Sequence, residues 1–287
     1  MLNTIHLFYP SFEKGGATKN LVRIVNFLLK KNIKIFFFSR GANKVDFIRN
    51  KNLKIINGKP LKKLNFLPIR WNLAISSMIN LNSFLKKNKK NSIIFSMQSH
   101  IPAIAIAKIN QTKIVIRNSE EPFGATFYAD NRILSFFVLF LKIVFYNFAN
   151  KIIAISSMSR RSLQKIVLFE DRIALIYNPY LKKILKIKKK KKKNLDNFNI
   201  LSIGRLTKQK NFPLLINAVI KLSHRYNKIN LLIIGNGDLK NFLINKIKPY
   251  KNIKIINWKN KLDKYYLNSD LFILPSYYEG LPNVLLD

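Results

Sequence analysis

The chain has 287 residues, 48% of them hydrophobic, and a formal net charge of +39 from 52 Lys and Arg against 13 Asp and Glu. It contains no cysteine, which excludes disulfides and thiolate-zinc sites and fits a reducing, cytoplasmic compartment. The three histidines lack metal-ligand spacing, so no metal is expected. The charge leaves two interpretations open: attraction to a polyanion or an anionic surface, and the composition bias of a chain rich in Lys, Asn, Ile and Phe.

The N-terminal half alternates short apolar runs with helical patterns. TIHLFYP (4–10) predicts a first strand, and the glycine pair of KGGATKNL (14–21) opens an amphipathic helix. Further runs that predict strands lie at 33–39, 92–97, 112–118 and 151–156. Near-continuous apolar strands are typical of a parallel sheet that is covered by helices on both faces.

The longest apolar stretch is ILSFFVLFLKIVFYNFA, residues 133–149, and it is interrupted by Lys142 and Asn147. It is slightly short for a membrane-spanning helix. The pattern favours a buried or interfacial amphipathic helix over a true span.

A second alternation begins after IYNPY (176–180) and a lysine-rich run that includes Lys188–Lys193. The run predicts a solvated linker over 181–197, which could also touch a membrane surface. Strands are then predicted over 198–204, 230–238, 252–258 and 270–276, with helices between them. The pattern predicts an α/β protein with two Rossmann-like, doubly wound domains, residues 1–180 and 198–287, facing a cleft.

Four stretches carry a resemblance when they are taken in order: KGGATKNL (14–21), SIGRLTKQKNFPLLINA (202–218), LLIIGNGDLKNFL (231–243) and PSYYEGLPNVLLD (275–287). Together with IYNPY at the domain junction, they resemble the retaining glycosyltransferases of family 4, a group 1 glycosyltransferase family with the GT-B fold. The resemblance covers nearly the whole chain and is strongest from Ile155 onward. Family members continue with further helices, so the second domain is expected to be incomplete and the chain to be C-terminally truncated.

The resemblance assigns the donor site to the second domain. It gives Arg205 and Lys210 the role of stabilising the leaving diphosphate, which requires fixed cations where no metal is bound. Glu279 matches the first acid of the family's Glu-x7-Glu pattern and would contact the donor sugar or the reacting face. The second acid, which binds the ribose, is here the shorter Asp287, on a helix expected to begin near Pro282. The resemblance also implies that Gly280 and Leu281 offer backbone N–H groups to the sugar and phosphates.

Candidate residues also lie in the first domain. Gly15 and Gly16 would let the backbone approach a phosphate or sugar, with an ordinary tight turn as the alternative. His100 follows a predicted strand, where family members often carry a histidine near the acceptor or reacting centre; a capping or structural histidine is the equal alternative. Weaker candidates on the acceptor side are Arg117, Glu120 and Glu121.

The resemblance therefore implies a metal-independent, hexosyltransferase-type enzyme without a cofactor. It would transfer a sugar from a nucleoside-diphosphate sugar to a glycan or lipid-linked hydroxyl acceptor, in cell-surface polysaccharide or lipopolysaccharide synthesis. The enzyme would be cytoplasmic or peripheral on the inner face of the membrane, attracted to anionic lipid. Two alternatives are a nucleotide-sugar epimerase of the same fold and a non-enzymatic polyanion binder. No specific nucleic-acid partner is expected, because no basic-aromatic motif is present.

Overall fold

The computed structural model describes residues 3–13, 15–88, 92–179 and 197–286. The chain divides into two compact units: unit 1 is Met1–Phe127 with Asn131–Tyr180, and unit 2 is Tyr128–Asp130 with Leu181–Asp287. The predicted Lys-rich linker over 181–197 lies outside the described residues except for Asn197, and so does Asp287.

Unit 1 contains a parallel sheet. Its described strands are β1 (Thr4–Ser11), β2 (Lys34–Arg40), β3 (Leu53–Asn57), β4 (Ser92–Ser96), β5 (Lys113–Asn118), β6 (Lys151–Ala154) and β7 (Ile173–Leu175). They are ordered β3-β2-β1-β4-β5-β6-β7, and each pairs in parallel with its neighbour. The first strand of the chain therefore lies inside the sheet, between β2 and β4.

Helices connect these strands and supply a core on each face of the sheet. Those described are α1 (Gly16–Lys30), α2 (Ile69–Lys87), α3 (His100–Ile109), α4 (Pro122–Phe127), α5 (Arg132–Tyr146) and α6 (Ser157–Gln164). In α1, Leu21, Val25 and Leu29 recur every four residues and are fully buried, which is the spacing of one helix face. Along β1, Leu7 and Phe8 enter two different apolar clusters because successive strand residues point to opposite faces.

A histidine is buried among aromatic rings in the core of unit 1. His6 on β1 is 1% exposed and lies among the rings of Phe36, Phe38 and Phe84. Within the described residues neither of its ring nitrogens has a hydrogen-bond partner. Burial lowers the pKa of His6 to about 4, so the imidazole is neutral at physiological pH.

Unit 2 repeats the same architecture on a smaller scale. Its described strands are β8 (Phe198–Ile203), β9 (Ile229–Ile234), β10 (Ile253–Ile256) and β11 (Leu271–Phe272), in the parallel order β10-β9-β8-β11. The accompanying helices are α7 (Phe212–Ser223), α8 (Lys240–Ile247) and α9 (Asp263–Leu267). Apolar clusters again line both faces of the sheet. The predicted α/β class with parallel sheets is confirmed.

Strands β3 and β7 of unit 1 were not predicted from the sequence, and two details of unit 2 also differ from the prediction. The strand predicted over 270–276 is observed only as Leu271–Phe272, although the Ile273 N–H still donates to the Leu201 carbonyl at 2.9 Å before the chain enters the loop that carries Glu279. The helix expected near Pro282 is a single 3₁₀ turn, Asn283–Leu285. Within the described ranges, no helix combines the length and the apolar character that a membrane span requires, α5 included.

Each sheet has a topological switch point, where the strand order reverses. In unit 1 the switch lies between β1 and β4, and in unit 2 it lies between β8 and β11. In open parallel sheets, ligands bind beyond the carboxyl ends of strands at such points. Gly15 and His100 follow the two switch strands of unit 1, and Arg205 and Glu279 follow those of unit 2. The predicted site residues therefore flank the expected ligand positions of both sheets.

Candidate functional site

In unit 2 the site is built where the carboxyl ends of β8 and β11 meet. The loop after β11 is fixed to the segment after β8 by two hydrogen bonds. The backbone N–H of Tyr277 donates to the Gln209 carbonyl at 2.9 Å, and Gln209 Nε2 donates to the Tyr278 carbonyl at 3.1 Å. Since Tyr278 directly precedes Glu279, this pinning fixes the position of the predicted acid.

The pinned loop brings Glu279 into an ion pair with Lys210. Lys210 Nζ donates to Glu279 Oε1, and the two side chains are only 12% and 21% exposed. A hydrogen-bonded carboxylate and ammonium with such small exposed fractions hold each other in a defined geometry. Lys210 has two further N–H donors, so it can meet an anion while it stays bound to Glu279. The structure thus joins two of the predicted residues, 69 positions apart in the chain.

The other predicted donor-site residues lie on the same two segments. Arg205 follows β8 and is exposed, and within the described part of the chain no hydrogen bond or ion pair engages its guanidinium. Gly280 and Leu281 directly follow Glu279 and are half-buried. The predicted ribose-binding acid, Asp287, lies outside the described residues. Arg205 is therefore an exposed cation on the loop after β8.

The Gly-x-Gly turn at Gly235 and Gly237 supports this edge by close backbone packing. A Cβ on Gly235 would lie 1.9 Å from the carbonyl oxygen of Gly204. The Leu206 N–H donates to the Asn236 carbonyl at 2.9 Å, which joins the turn to the loop that contains Arg205. The glycines are required here because backbone packs directly on backbone.

In unit 1 the glycine pair lies at the start of α1. Gly15 is the N-cap residue, with an extended backbone at φ 174°, and within the described residues a Cβ there would meet no atom within 4 Å apart from its chain neighbours. The turn before it is fixed by a 3.1 Å hydrogen bond between the hydroxyls of Tyr9 and Thr18. Ser11 N–H also donates to Gln98 Oε1 at 2.8 Å, which ties the turn to the segment after β4. Space is thus open beside Gly15 at the N-terminus of a 15-residue helix.

His100 begins α3 and is held in place. Its Nδ1 and the Ser96 Oγ share a 2.9 Å hydrogen bond, and its ring lies edge-on to Tyr146 at 5.9 Å. Burial, and then the positive charge of Lys142, lower the pKa of His100 to about 3. The imidazole is therefore neutral at physiological pH and suits hydrogen bonding better than proton transfer.

The weaker candidates of unit 1 have different partners. Arg117 is 3% exposed and donates to Asn178 Oδ1 and, at 3.1 Å, to Ser119 Oγ. Burial lowers its pKa to about 10, which leaves it charged at neutral pH. Glu120 accepts from Lys142 Nζ at 2.7 Å. Glu121 accepts from the backbone N–H groups of residues 123 and 124, so its carboxylate caps α4.

Sequence reasoning missed several residues of these clusters. In the sequence Lys142 only interrupts the apolar stretch, yet a lysine within an apolar helix is itself a signal of a buried ion pair. Tyr146, one helical turn later, donates to Asn118 Oδ1 at 3.4 Å. Gln209 and Asn178 gave no signal, because their roles depend on contacts between segments far apart in sequence.

Acidic and histidine side chains are dispersed in the described ranges. No group of three or more of them is placed there to share a metal ion. Positive charge at the unit 2 edge is supplied by Lys210 and Arg205. These side chains can face a diphosphate directly.

Comparison with solved structures defines the class of fold. The chain superposes on Anabaena Alr3699/HepE, solved in complex with UDP and glucose, with a TM-score of 0.68 and 16% sequence identity. The superposition covers 99% of this chain and 77% of that chain. The chain has the GT-B fold of glycosyltransferases, as predicted.

Sequence comparison then adds a family match. Residues 183–287 match the family described as Glycosyl transferases group 1. An uncharacterized glycosyltransferase of Methanocaldococcus jannaschii is 28% identical over 204 residues, which are 66% of this chain and 50% of that protein. The Campylobacter jejuni N-acetylgalactosamine-N,N'-diacetylbacillosaminyl-diphospho-undecaprenol 4-alpha-N-acetylgalactosaminyltransferase is 27% identical over 229 residues, 78% of this chain and 59% of the relative. The chain thus spans between half and three fifths of the length of these two relatives.

Proposed function

We propose that the protein is a retaining glycosyltransferase of the hexosyltransferase type. It transfers a sugar from a nucleoside-diphosphate sugar to a hydroxyl group of a glycan or a lipid-linked acceptor. The observation that carries this proposal is the Lys210–Glu279 ion pair at the switch point of unit 2, with the exposed Arg205 beside it on the loop after β8. The family match of residues 183–287 supports the same function.

The proposed chemistry needs charge neutralisation at the leaving group. As the bond between the anomeric carbon and the diphosphate oxygen breaks, negative charge grows on the diphosphate. Lys210 and Arg205 stabilise that charge without a metal, and Gly280 and Leu281 donate backbone N–H groups to it. The acceptor hydroxyl attacks the same face of the sugar and gives its proton to the departing phosphate. The products are the glycoside with retained configuration and the nucleoside diphosphate.

The remaining groups would position the sugar and the acceptor. Glu279, held by Lys210, accepts hydrogen bonds from donor-sugar hydroxyls. Gly15 leaves open space beside a helix N-terminus for a phosphate or sugar to approach. His100, neutral and fixed by Ser96, contributes a hydrogen bond at the acceptor side. Asp287 would bind the ribose.

The proposed acceptor and location follow from a relative. The C. jejuni enzyme is named for a diphospho-undecaprenol acceptor, which is a lipid-linked glycan. For the present chain we propose a comparable acceptor in cell-surface polysaccharide or lipopolysaccharide synthesis. The enzyme would act in the cytoplasm, at the inner surface of the membrane, where such acceptors are presented.

The test is nucleotide binding measured by thermal shift. UDP, GDP and ADP are compared with and without Mg²⁺, at low and high salt, on the wild-type chain and on Arg205→Ala. Arg225→Ala is the matched control, since Arg225 is also an exposed arginine of unit 2. A base-selective shift that is independent of Mg²⁺, survives salt and is lost only in Arg205→Ala supports the donor site.

Other results of the same experiment would contradict the donor-site proposal. Equal shifts for all three nucleotides that vanish in high salt, or equal losses in Arg205→Ala and Arg225→Ala, would show attraction to the net charge of +39 alone. Incubation with the nucleotide sugar but no acceptor separates the epimerase alternative, because an epimerase converts the donor by itself.

A further inference from the structure

Helix α5 carries its apolar residues on the outside. The exposed residues recur at helical spacing along its whole length: Ile133, Phe136, Phe137, Phe140, Ile143 and Val144. Ile133 is 86% exposed and Phe140 is 58% exposed. The opposite side of the helix, which packs into unit 1, contains the buried Lys142 and Tyr146. Surface helices of globular proteins show the reverse arrangement, with polar residues outward.

The apolar face continues beyond both ends of the helix. At its start, the half-exposed Phe127 meets Phe136 edge-to-face at 5.7 Å. At its end lie Phe148, Leu168 and Phe169, of which Leu168 is 81% exposed. We call this surface, from Phe127 along α5 to Phe169, the α5 face. A contiguous apolar surface of this kind marks an interaction site on an otherwise polar protein.

Cations border the α5 face at its far end. A groove of about 780 Å³ opens there between α5 and the segment after α6, and its lining includes Lys108, Lys165 and Arg172. Lys108 Nζ lies 5.0 Å from the ring centre of Phe148, and the Arg172 guanidinium lies 4.1 Å from that of Phe169. The border segment also contains two exposed acids, Asp171 and Glu170, and Glu170 accepts a hydrogen bond from Gln164.

We infer that the α5 face docks unit 1 onto an anionic lipid bilayer, with the apolar residues of α5 entering the interface and the bordering cations meeting lipid phosphates. This inference rests on the proposed function in one respect: docking on the bilayer would bring the enzyme close to the proposed lipid-linked acceptor. An apolar stripe of large side chains beside Lys and Arg is the pattern of helices that lie in the plane of a membrane interface. A bilayer fits better than an aqueous protein partner because the charge at the border is positive and anionic lipids are negative.

The geometry places the acceptor side of unit 1 directly behind this surface. Helix α5 begins after α4 at the carboxyl edge of the sheet and ends before β6 at the opposite edge, a length of roughly 22 Å. From its inner side, Lys142 pairs with Glu120 and the Tyr146 ring meets His100. Docking through the outer side therefore positions the His100 cluster one helix thickness from the lipid surface.

The test is co-sedimentation with vesicles of phosphatidylcholine alone and of phosphatidylcholine with phosphatidylglycerol, at low and high salt. The variant is Phe136→Ser/Phe140→Ser, which removes two rings from the outer side of α5. The matched control is Leu214→Ser/Phe242→Ser, which removes two side chains of unit 2 that are 59% and 56% exposed. We expect the affinity of the α5 variant for anionic vesicles to fall by about tenfold or more. The affinity of the control should stay within about twofold of wild type.

Three results would overturn the inference. One is equal binding of the α5 variant and the wild type. Another is wild-type binding that high salt abolishes entirely, which would leave only attraction of the lysines. The third is a dimer in light scattering that the α5 variant converts to a monomer without any vesicle binding, which would make the face a protein interface. An unchanged melting temperature shows that the variant is folded, and an unchanged UDP-induced thermal shift separates failure of this surface from failure of the donor site in unit 2.

Discussion

The ion pair between Lys210 and Glu279 predicts that removing an acid will tighten nucleotide binding. Glu279→Gln keeps the size of the side chain and removes its negative charge. Lys210 then keeps its full charge for a ligand, and the repulsion between the carboxylate and a diphosphate disappears. We expect tighter binding of a free nucleoside diphosphate but slower sugar transfer, since Glu279 is proposed to hold the donor sugar.

The size of the effect follows from the burial of the pair. Two unit charges about 5 Å apart interact by roughly 3 kcal/mol at an effective dielectric constant of about 20. The Glu279 side chain is 21% exposed, so water screens part of this energy. A remaining effect of about 1 kcal/mol corresponds to roughly fivefold tighter binding. The same substitution leaves the partly buried Lys210 without its partner and lowers the free energy of unfolding by about 1 kcal/mol.

Isothermal titration calorimetry with UDP measures the affinity, and thermal unfolding measures the stability. Lys210→Met is expected to bind UDP at least tenfold more weakly, and Glu279→Asp, which keeps the charge, to bind close to wild type. If Glu279→Gln binds UDP as weakly as Lys210→Met, the carboxylate itself contacts the nucleotide. Repulsion between Glu279 and the diphosphate would then not govern the affinity, and the predicted gain in binding would be wrong.

Two further predictions concern stability and pH. Gly235→Ala should lower the free energy of unfolding by about 2 kcal/mol, because its Cβ meets the Gly204 carbonyl at 1.9 Å. Gly15→Ala is the matched control and should leave the melting temperature unchanged while weakening donor binding; equal melting losses in both variants would contradict the packing argument. His6 has a folded-state pKa of about 4, below its unfolded value of 6.5, so the unfolded chain binds more protons between these values and stability should fall as pH drops from about 6.5 to 4. His6→Leu should reduce this loss in melting curves at pH 7 and pH 5, and an unchanged pH dependence would refute it.

Local sequence pattern was sufficient for most of the fold. Runs such as IKIFFFS and TKIVIRN are buried strands because Phe, Ile and Val fill both faces of a parallel sheet. The two-residue strand β11 could not be delimited, since DLFILPS is apolar throughout and only pairing with β8 defines where it ends. The 3₁₀ turn after Pro282 was likewise invisible, because proline at the start of a helix gives the same signal.

The candidate site was predictable residue by residue but not as a set of contacts. The order of motifs identified Lys210 and Glu279, yet their ion pair depends on the hydrogen bonds of Gln209 to a loop 69 positions away. The apolar stretch 133–149 indicated an amphipathic helix. Which side of it faces outward depends on the ion pair between Lys142 and Glu120, which holds the Lys142 side against unit 1. These contacts join residues that are far apart in the sequence, so local periodicity does not predict them.

The central place of β1 in its sheet has a consequence for synthesis of the chain. β1 pairs with β4 on one side, and Thr4 aligns with Ser92, which lies 88 positions later. At a translation rate of about 5–20 residues per second, this edge of β1 waits roughly 4–18 s for its partner. During that interval an apolar strand with free backbone groups is open to pairing with other chains. Unit 1 is therefore prone to aggregate while the chain is being synthesised. We expect its yield in cells to depend on chaperones that shield β1 until β4 emerges.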